Sequence, residues 1–118
     1  MSNFIQDYMK TGITLVNHTN IQYFRNKTVV VHGKVQSVKN NILTLLIDSQ
    51  NNHEFLVNGF RKNIKIGEMV AIIGKVASDH ALDFIDLFQL DKDFDLQYVN
   101  EIITLFTHSY TKFFFEKN

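Results

Sequence analysis

Two stretches of this chain use the same device: Val29-Val30-Val31-His32-Gly33-Lys34-Val35 and Val70-Ala71-Ile72-Ile73-Gly74-Lys75-Val76 each set a glycine inside a β-branched run. A glycine in a strand interior forgoes side-chain packing, and it is found where a sheet bulges, bends sharply or lets another backbone approach. Two such sites in a short chain predict a strongly coiled sheet. The likeness between them covers only these few residues, so it reads as two strands solving one closure problem and not as an internal repeat. Around them the chain alternates between β-branched or aromatic runs and polar turns. The runs are Thr28 to Val38, Ile42 to Asp48, His53 to Asn58, Met69 to Ser78 and Ala81 to Leu90. The turns Lys39-Asn40-Asn41, Ser49-Gln50-Asn51-Asn52 and Asp79-His80 carry the residues that tight reversals need.

Only one connection, Gly59 to Gly67 between the third and fourth runs, is long. Five short strands, with bends in the first and fourth and one long crossing, are the plan of an all-β, five-stranded Greek-key barrel of the OB type. Residues 1–27 are irregular in polarity and read as a lead-in and lid, with a short helical turn capped by Thr19 or Asn20 ahead of Ile21, Tyr23 and Phe24. After the barrel, Asp95 stands where an N-cap would accept backbone N–H groups, and the spacing predicts a helix from about Leu96 to Lys112. The chain is thus expected to be a single domain: lead at 1–27, barrel at 28–90, interaction helix at 95–115.

Along that helix Leu96, Val99, Ile103, Phe106, Tyr110 and Phe113 form one stripe, and Tyr98, Ile102 and Leu105 a second beside it. Together they span about half the circumference, wider than the roughly 100° arc that covering a single core requires. The surplus predicts a second contact. The longer stripe, spaced by threes and fours like a helix-packing seam, is expected to face a partner, and the shorter one to pack on the chain's own barrel. In the competing arrangement, Phe106, Tyr110 and Phe113 fold back to plug the barrel's open end. An SH3-type barrel is the competing fold, and it would lack the long packed helix.

Composition narrows the function. With 118 residues, 45% hydrophobic and 20% charged, the chain suits one folded domain. Twelve Lys and Arg cancel twelve Asp and Glu, so there is no net field to gather phosphates by counterion release. Cysteine is absent, which excludes disulfides, thiolate nucleophiles and Cys-ligated zinc and fits an intracellular setting. The first ten residues lack a signal-peptide pattern, and no apolar run approaches the ~18 residues of a membrane span, so a soluble, unsecreted protein without membrane contact is expected. The five histidines, 18, 32, 53, 80 and 108, lack the i, i+4 pairing of a metal helix and read as surface or strand residues; no metal is expected.

Asp91-Lys92-Asp93-Phe94-Asp95 opens like a calcium loop, but Leu96 replaces its glycine and Ile102 its glutamate. Gly33-Lys34 and Gly74-Lys75 are each followed by Val where a phosphate loop needs Ser or Thr. With neither a nucleophile–base pair nor a carboxylate dyad, no catalysis and no cofactor are expected. Residues that could grip a single strand are few: Phe55 and Phe60 for stacking, with Lys39, Arg61 and Lys62 for phosphates. Each aromatic reads as barrel core before it reads as a stacking platform, the cations read as solvated surface, and the Ser78-Asp79-His80 hairpin offers nothing further.

With a barrel and a broad apolar helix in hand, the sequence resembles the family of the smallest subunit of replication protein A, from about Val16 to Phe113. The carriers are Val16-Asn17 leading into Gln22-Tyr23-Phe24, the segment Val31-His32-Gly33-Lys34-Val35, the Val70 to Val76 segment with Gly74, and above all Phe94-Asp95-Leu96 followed by Asn100-Glu101. The resemblance implies a nuclear, non-catalytic subunit that adds little DNA affinity itself. It would dimerise with a middle OB subunit and join a large one through bundled C-terminal helices, and single-stranded DNA would be held mainly by those partners. Telomere-capping and telomerase-bound complexes use similar small subunits, so the resemblance implies work in DNA replication and repair or in telomere maintenance. The rival reading is an independent single-strand binder that uses Phe55, Phe60, Arg61 and Lys62.

Overall fold

The long, β-branched run after Thr28 forms a strand of twelve residues, and its length lets it serve two neighbours in turn. The structure, a computed structural model, describes residues 14–48 and 50–114, with side chains as far as Leu105. In chain order it contains β1 (Thr14–Leu15), a 3-10 turn (Ile21–Phe24), β2 (Thr28–Lys39), β3 (Ile42–Asp48), β4 (His53–Asn58), β5 (Met69–Ser78), β6 (Ala81–Gln89) and α1 (Leu96–Phe114). The first part of β2, Thr28 to Lys34, pairs antiparallel with β5, and the remainder from Lys34 to Lys39 pairs with β3.

The change of partner falls at Gly33-Lys34, where a Cβ on Gly33 would stand 2.6 Å from Leu45 Cγ and 2.7 Å from the Leu46 carbonyl oxygen. Gly74 has the matching role on β5. The β5–β6 register shifts between Ile73 and Gly74, and a Cβ there would meet the Asp83 carbonyl oxygen at 2.8 Å. The two glycines are therefore sites of close backbone approach that let the sheet coil.

β3 and β4 form an antiparallel hairpin, β4 and β6 pair in parallel, and β5 and β6 are antiparallel. With the β2–β5 pairing, the order β2-β3-β4-β6-β5 returns to its start, so the strands form the closed five-stranded ring of an OB barrel. The connection from Asn58 to Met69 makes closure possible by carrying the chain across to β2. Alternate residues point inward: Leu43, Leu45 and Ile47 from β3, Phe55 and Val57 from β4, Val70, Ile72 and Val76 from β5, and Leu82 from β6 are buried together.

The lead differs from the expected lid. Its described part enters the core through Val16 and Ile21, both 1% exposed, and β1 pairs in parallel with β2 at Val29 and Val30. A two-residue strand is too short to show alternation in sequence; the open flank of β2 creates it. Asn20 precedes the 3-10 turn, but its side chain makes no capping bond to that turn. Instead its Oδ1 accepts the Asn17 backbone N–H at 2.9 Å.

Candidate functional site

The helix begins as its sequence requires: Tyr98 donates its backbone N–H to Asp95 Oδ1 at 3.0 Å, which satisfies one of the orphan donors of the first turn. Just before it, Phe94 lies flat against His32 of β2, with ring centroids 5.5 Å apart and planes 11° from parallel. Phe94, Val99 and Ile103 form one buried cluster, with Leu15, Met69, Leu90 and Leu96 packed around it.

Among the described side chains this placement reverses the expected roles of the two stripes. Val99 and Ile103, assigned by spacing to a partner, are 4% and 3% exposed against the chain's own barrel, and Leu96 packs beside them. Tyr98 and Leu105, assigned to the barrel, are 57% and 65% exposed, and Ile102 is half-buried between the two faces. Phe106, Tyr110 and Phe113 belong to the helix, but their side chains lie outside the described residues, so the plugging arrangement does too.

Periodicity reports how wide an apolar arc is but not which part of it turns inward. Asn100 makes that choice. This buried side chain donates to the Ile47 carbonyl of β3 and accepts from Asn17 Nδ2 at 3.1 Å, while Asn17 Nδ2 also approaches the Asn100 carbonyl at 3.3 Å. Asn17 is itself held by the Thr19 backbone N–H and hydroxyl, which reach its Oδ1 at 2.9 and 2.5 Å. A buried amide left without partners is costly, so this network fixes the rotation of α1. Asn17 and Asn100 were visible in the sequence only as parts of a family resemblance.

The turn around Asn17, the end of β3 and the first half of α1 enclose a groove of about 550 Å³, lined among others by His18, Asp48, Gln97, Glu101 and Leu105. On its floor His18 Nε2 lies 3.8 Å from Asp48 Oδ2, and the His18 ring stacks on that of His53 with centroids 3.8 Å apart. Burial, reinforced by the neighbouring His53, lowers the His18 pKa, and Asp48 opposes them. The Asn51 amide is the main cause that holds the Asp48 carboxyl below its ordinary pKa; backbone N–H bonds from Gln50 and Asn51 and the nearby His18 add to it, and partial burial opposes them. No local sequence spacing points to this group, because its members come from three separate segments. The carboxylates of Asp48 and Glu101 make the groove ill-suited to phosphate.

The proposed single-strand contacts divide in the same way. Phe55 and Phe60 are 2% and 1% exposed, so neither can stack on a base: both fill the barrel, and Phe60 meets Phe84 edge-on at 5.1 Å. Phe55 lies on the inward face of β4, and Phe60 turns into the same core from the loop that follows it. Lys39, Arg61 and Lys62 are exposed, and Lys62 Nζ sits 6.0 Å from the centroid of the Phe84 ring. Among the described residues no helix is long and apolar enough to cross a membrane.

Solved structures share this architecture. U. maydis replication protein A bound to ssDNA superposes with a TM-score of 0.66 at 18% identity, covering 86% of this chain and 94% of that one. The telomere capping protein Ten1 from S. pombe gives 0.65 at 19% identity, covering 81% and 98%. The S. pombe Stn1-Ten1 complex gives 0.63 at 18%, covering 81% and 92%. At these identities the likeness is one of fold, and it is the OB fold. No curated protein matches the chain by sequence. The profile of replication factor A protein 3 spans residues 9–114, taking in every described strand and the helix, and the chain belongs to that family.

Proposed function

We propose that the chain is a small, non-catalytic subunit of a replication-protein-A-like heterotrimer that holds single-stranded DNA in the nucleus, in replication and repair or at telomeres as part of a telomerase-associated subcomplex. The observation that carries this reading is the outer face of α1. After Val99 and Ile103 are used on the barrel, Tyr98 and Leu105 still stand exposed in one stripe with the half-buried Ile102. An apolar stripe left over on a helix is the feature that a helical bundle between chains would cover. Membership in the replication factor A protein 3 family and the shared fold with replication protein A and Stn1-Ten1 support such an assembly. In this reading Phe106, Tyr110 and Phe113, of the stripe that Val99 and Ile103 begin, add partner contacts further along α1, and the chain joins a middle OB subunit first and a large one through it.

The rival, an independent single-strand binder, loses both stacking residues to the core and retains scattered cations in a chain of zero net charge. The deciding experiment is copurification. A tagged chain should bring down a middle OB subunit, and Tyr98→Asp with Leu105→Asp should abolish that capture, since interface aromatics commonly contribute over ~2 kcal/mol. Because both side chains are exposed, the double variant should keep a cooperative melt. Retained capture would refute the assignment of this face. Telomerase reverse transcriptase in the eluate would point to the telomeric complex, and replication proteins without it to the general one.

A further inference from the structure

The barrel brings three metal-ligating side chains together, two from one hairpin and the third from a turn some thirty residues earlier. His18 comes from the turn that follows β1, Asp48 from the last residue of β3, and His53 from the first residue of β4. Asp48 and His53 are direct cross-strand partners, and they are so because the β3–β4 register shifts between Leu46 and Asp48. One ligand atom from each of the three residues lies within 4.8 Å of the other two. Ligand atoms around a tetrahedral ion at about 2.1 Å stand about 3.4 Å apart, so the set closes on an ion by side-chain rotation, for which the exposed His53 has room.

We propose that His18, Asp48 and His53 form a binding site for a divalent cation of the zinc type. Two imidazoles and one carboxylate are the donors that zinc accepts, and an oxygen-seeking ion such as magnesium has little use for them. The carboxylate is already oriented by its surroundings: Asp48 Oδ1 accepts the Gln50 backbone N–H at 3.0 Å, and Oδ2 accepts from Asn51 Nδ2 at 2.9 Å. Such outer bonds hold a ligand in place before the ion arrives.

His18 supplies the second, independent sign. Its Nδ1 is buried and has no hydrogen-bond partner, which costs free energy. Ligation through Nδ1 would offset that cost, and ligation through Nε2 would use the edge that already faces Asp48. Burial and the adjacent His53 favour the neutral imidazole, the form that ligates. With three protein ligands, a fourth position is left to water or an incoming group. His18 and Asp48 also line the groove beneath α1, so the bound ion would clasp the Asn17–Thr19 turn to the β3–β4 hairpin at the foot of the helix.

The test is calorimetric titration of zinc chloride into the purified full chain, with histidine imidazole resonances followed by NMR. One zinc should bind per chain, shifting the resonances of His18 and His53 and leaving those of His32 in place. Magnesium chloride at the same concentrations should give no binding heat. His53→Ala removes an exposed side chain and should leave the melt intact, yet it should weaken zinc binding at least about tenfold, with Asp48→Asn behaving alike. His80→Gln combined with His108→Gln should leave binding unchanged. Absence of zinc uptake, uptake undiminished in His53→Ala, or loss of uptake in the His80→Gln, His108→Gln variant would each overturn the proposal. None of these results depends on whether the chain joins a heterotrimer.

Discussion

Among the described residues, His32 is the side chain whose protonation departs furthest from its behaviour in water. It lies on β2, is 2% exposed and stacks on Phe94, and burial pushes its pKa down to about 4. In the unfolded chain the ring titrates near 6.5. The folded state therefore binds fewer protons than the unfolded one between these values, and stability rises with pH across that window. The contribution is complete above about pH 6.5 and is lost as the pH falls toward 4, on the order of 3 kcal/mol in all. Urea melts at pH 7, 5.5 and 4.5 should show this fall, and His32→Leu should be less acid-sensitive over the same range. Gly33 makes a second residue-scale prediction. A methyl group at this position collides with Leu45 and with the Leu46 carbonyl, so Gly33→Ala should destabilise the barrel by about 1–3 kcal/mol in a denaturant melt. The need for glycine at positions 33 and 74 was legible in the sequence. The burial of His32 was not, because a histidine in a strand gives no sign of which neighbours will cover it.

At the scale of elements, the five barrel strands fall where alternation and turn residues place them, and positive φ at Asn40, Asn41 and Asn52 accounts for asparagine in the two hairpins. The start of α1 was equally legible from Asp95. Its rotation was not: the apolar arc permits either stripe to turn inward, and the Asn17–Asn100 network selects the one containing Val99 and Ile103. Asn100→Leu keeps the volume but strips partners from the Ile47 carbonyl and the Asn17 amide. It should cost at least about 2 kcal/mol and loosen the helix on the barrel. Amide hydrogen exchange would detect this as faster exchange in the first turns of α1, with β5 and β6 unchanged; unchanged exchange in α1 would count against a latch.

For the whole molecule, zero net charge and the burial of Phe55 and Phe60 lead to one expectation about nucleic acid. The isolated chain should not bind a ~20-nucleotide single strand with submicromolar affinity, since such binding needs stacking platforms and cations acting together. Fluorescence anisotropy at low and moderate salt checks this, and tight, steeply salt-dependent binding would restore the rival reading. What the sequence determined by itself was local: strand and helix periods, turn chemistry, a helix cap, and two positions where only glycine fits. These follow from the few residues around each position. Tertiary structure alone decided the rest: that β2 trades partners at Gly33, that Tyr98 and Leu105 remain outside, and that His18, Asp48 and His53 meet at the foot of the helix. Closing the ring brings distant segments together and removes Phe55 and Phe60 from solvent. No spacing along the chain records such a contact, because it depends on how the whole sheet coils.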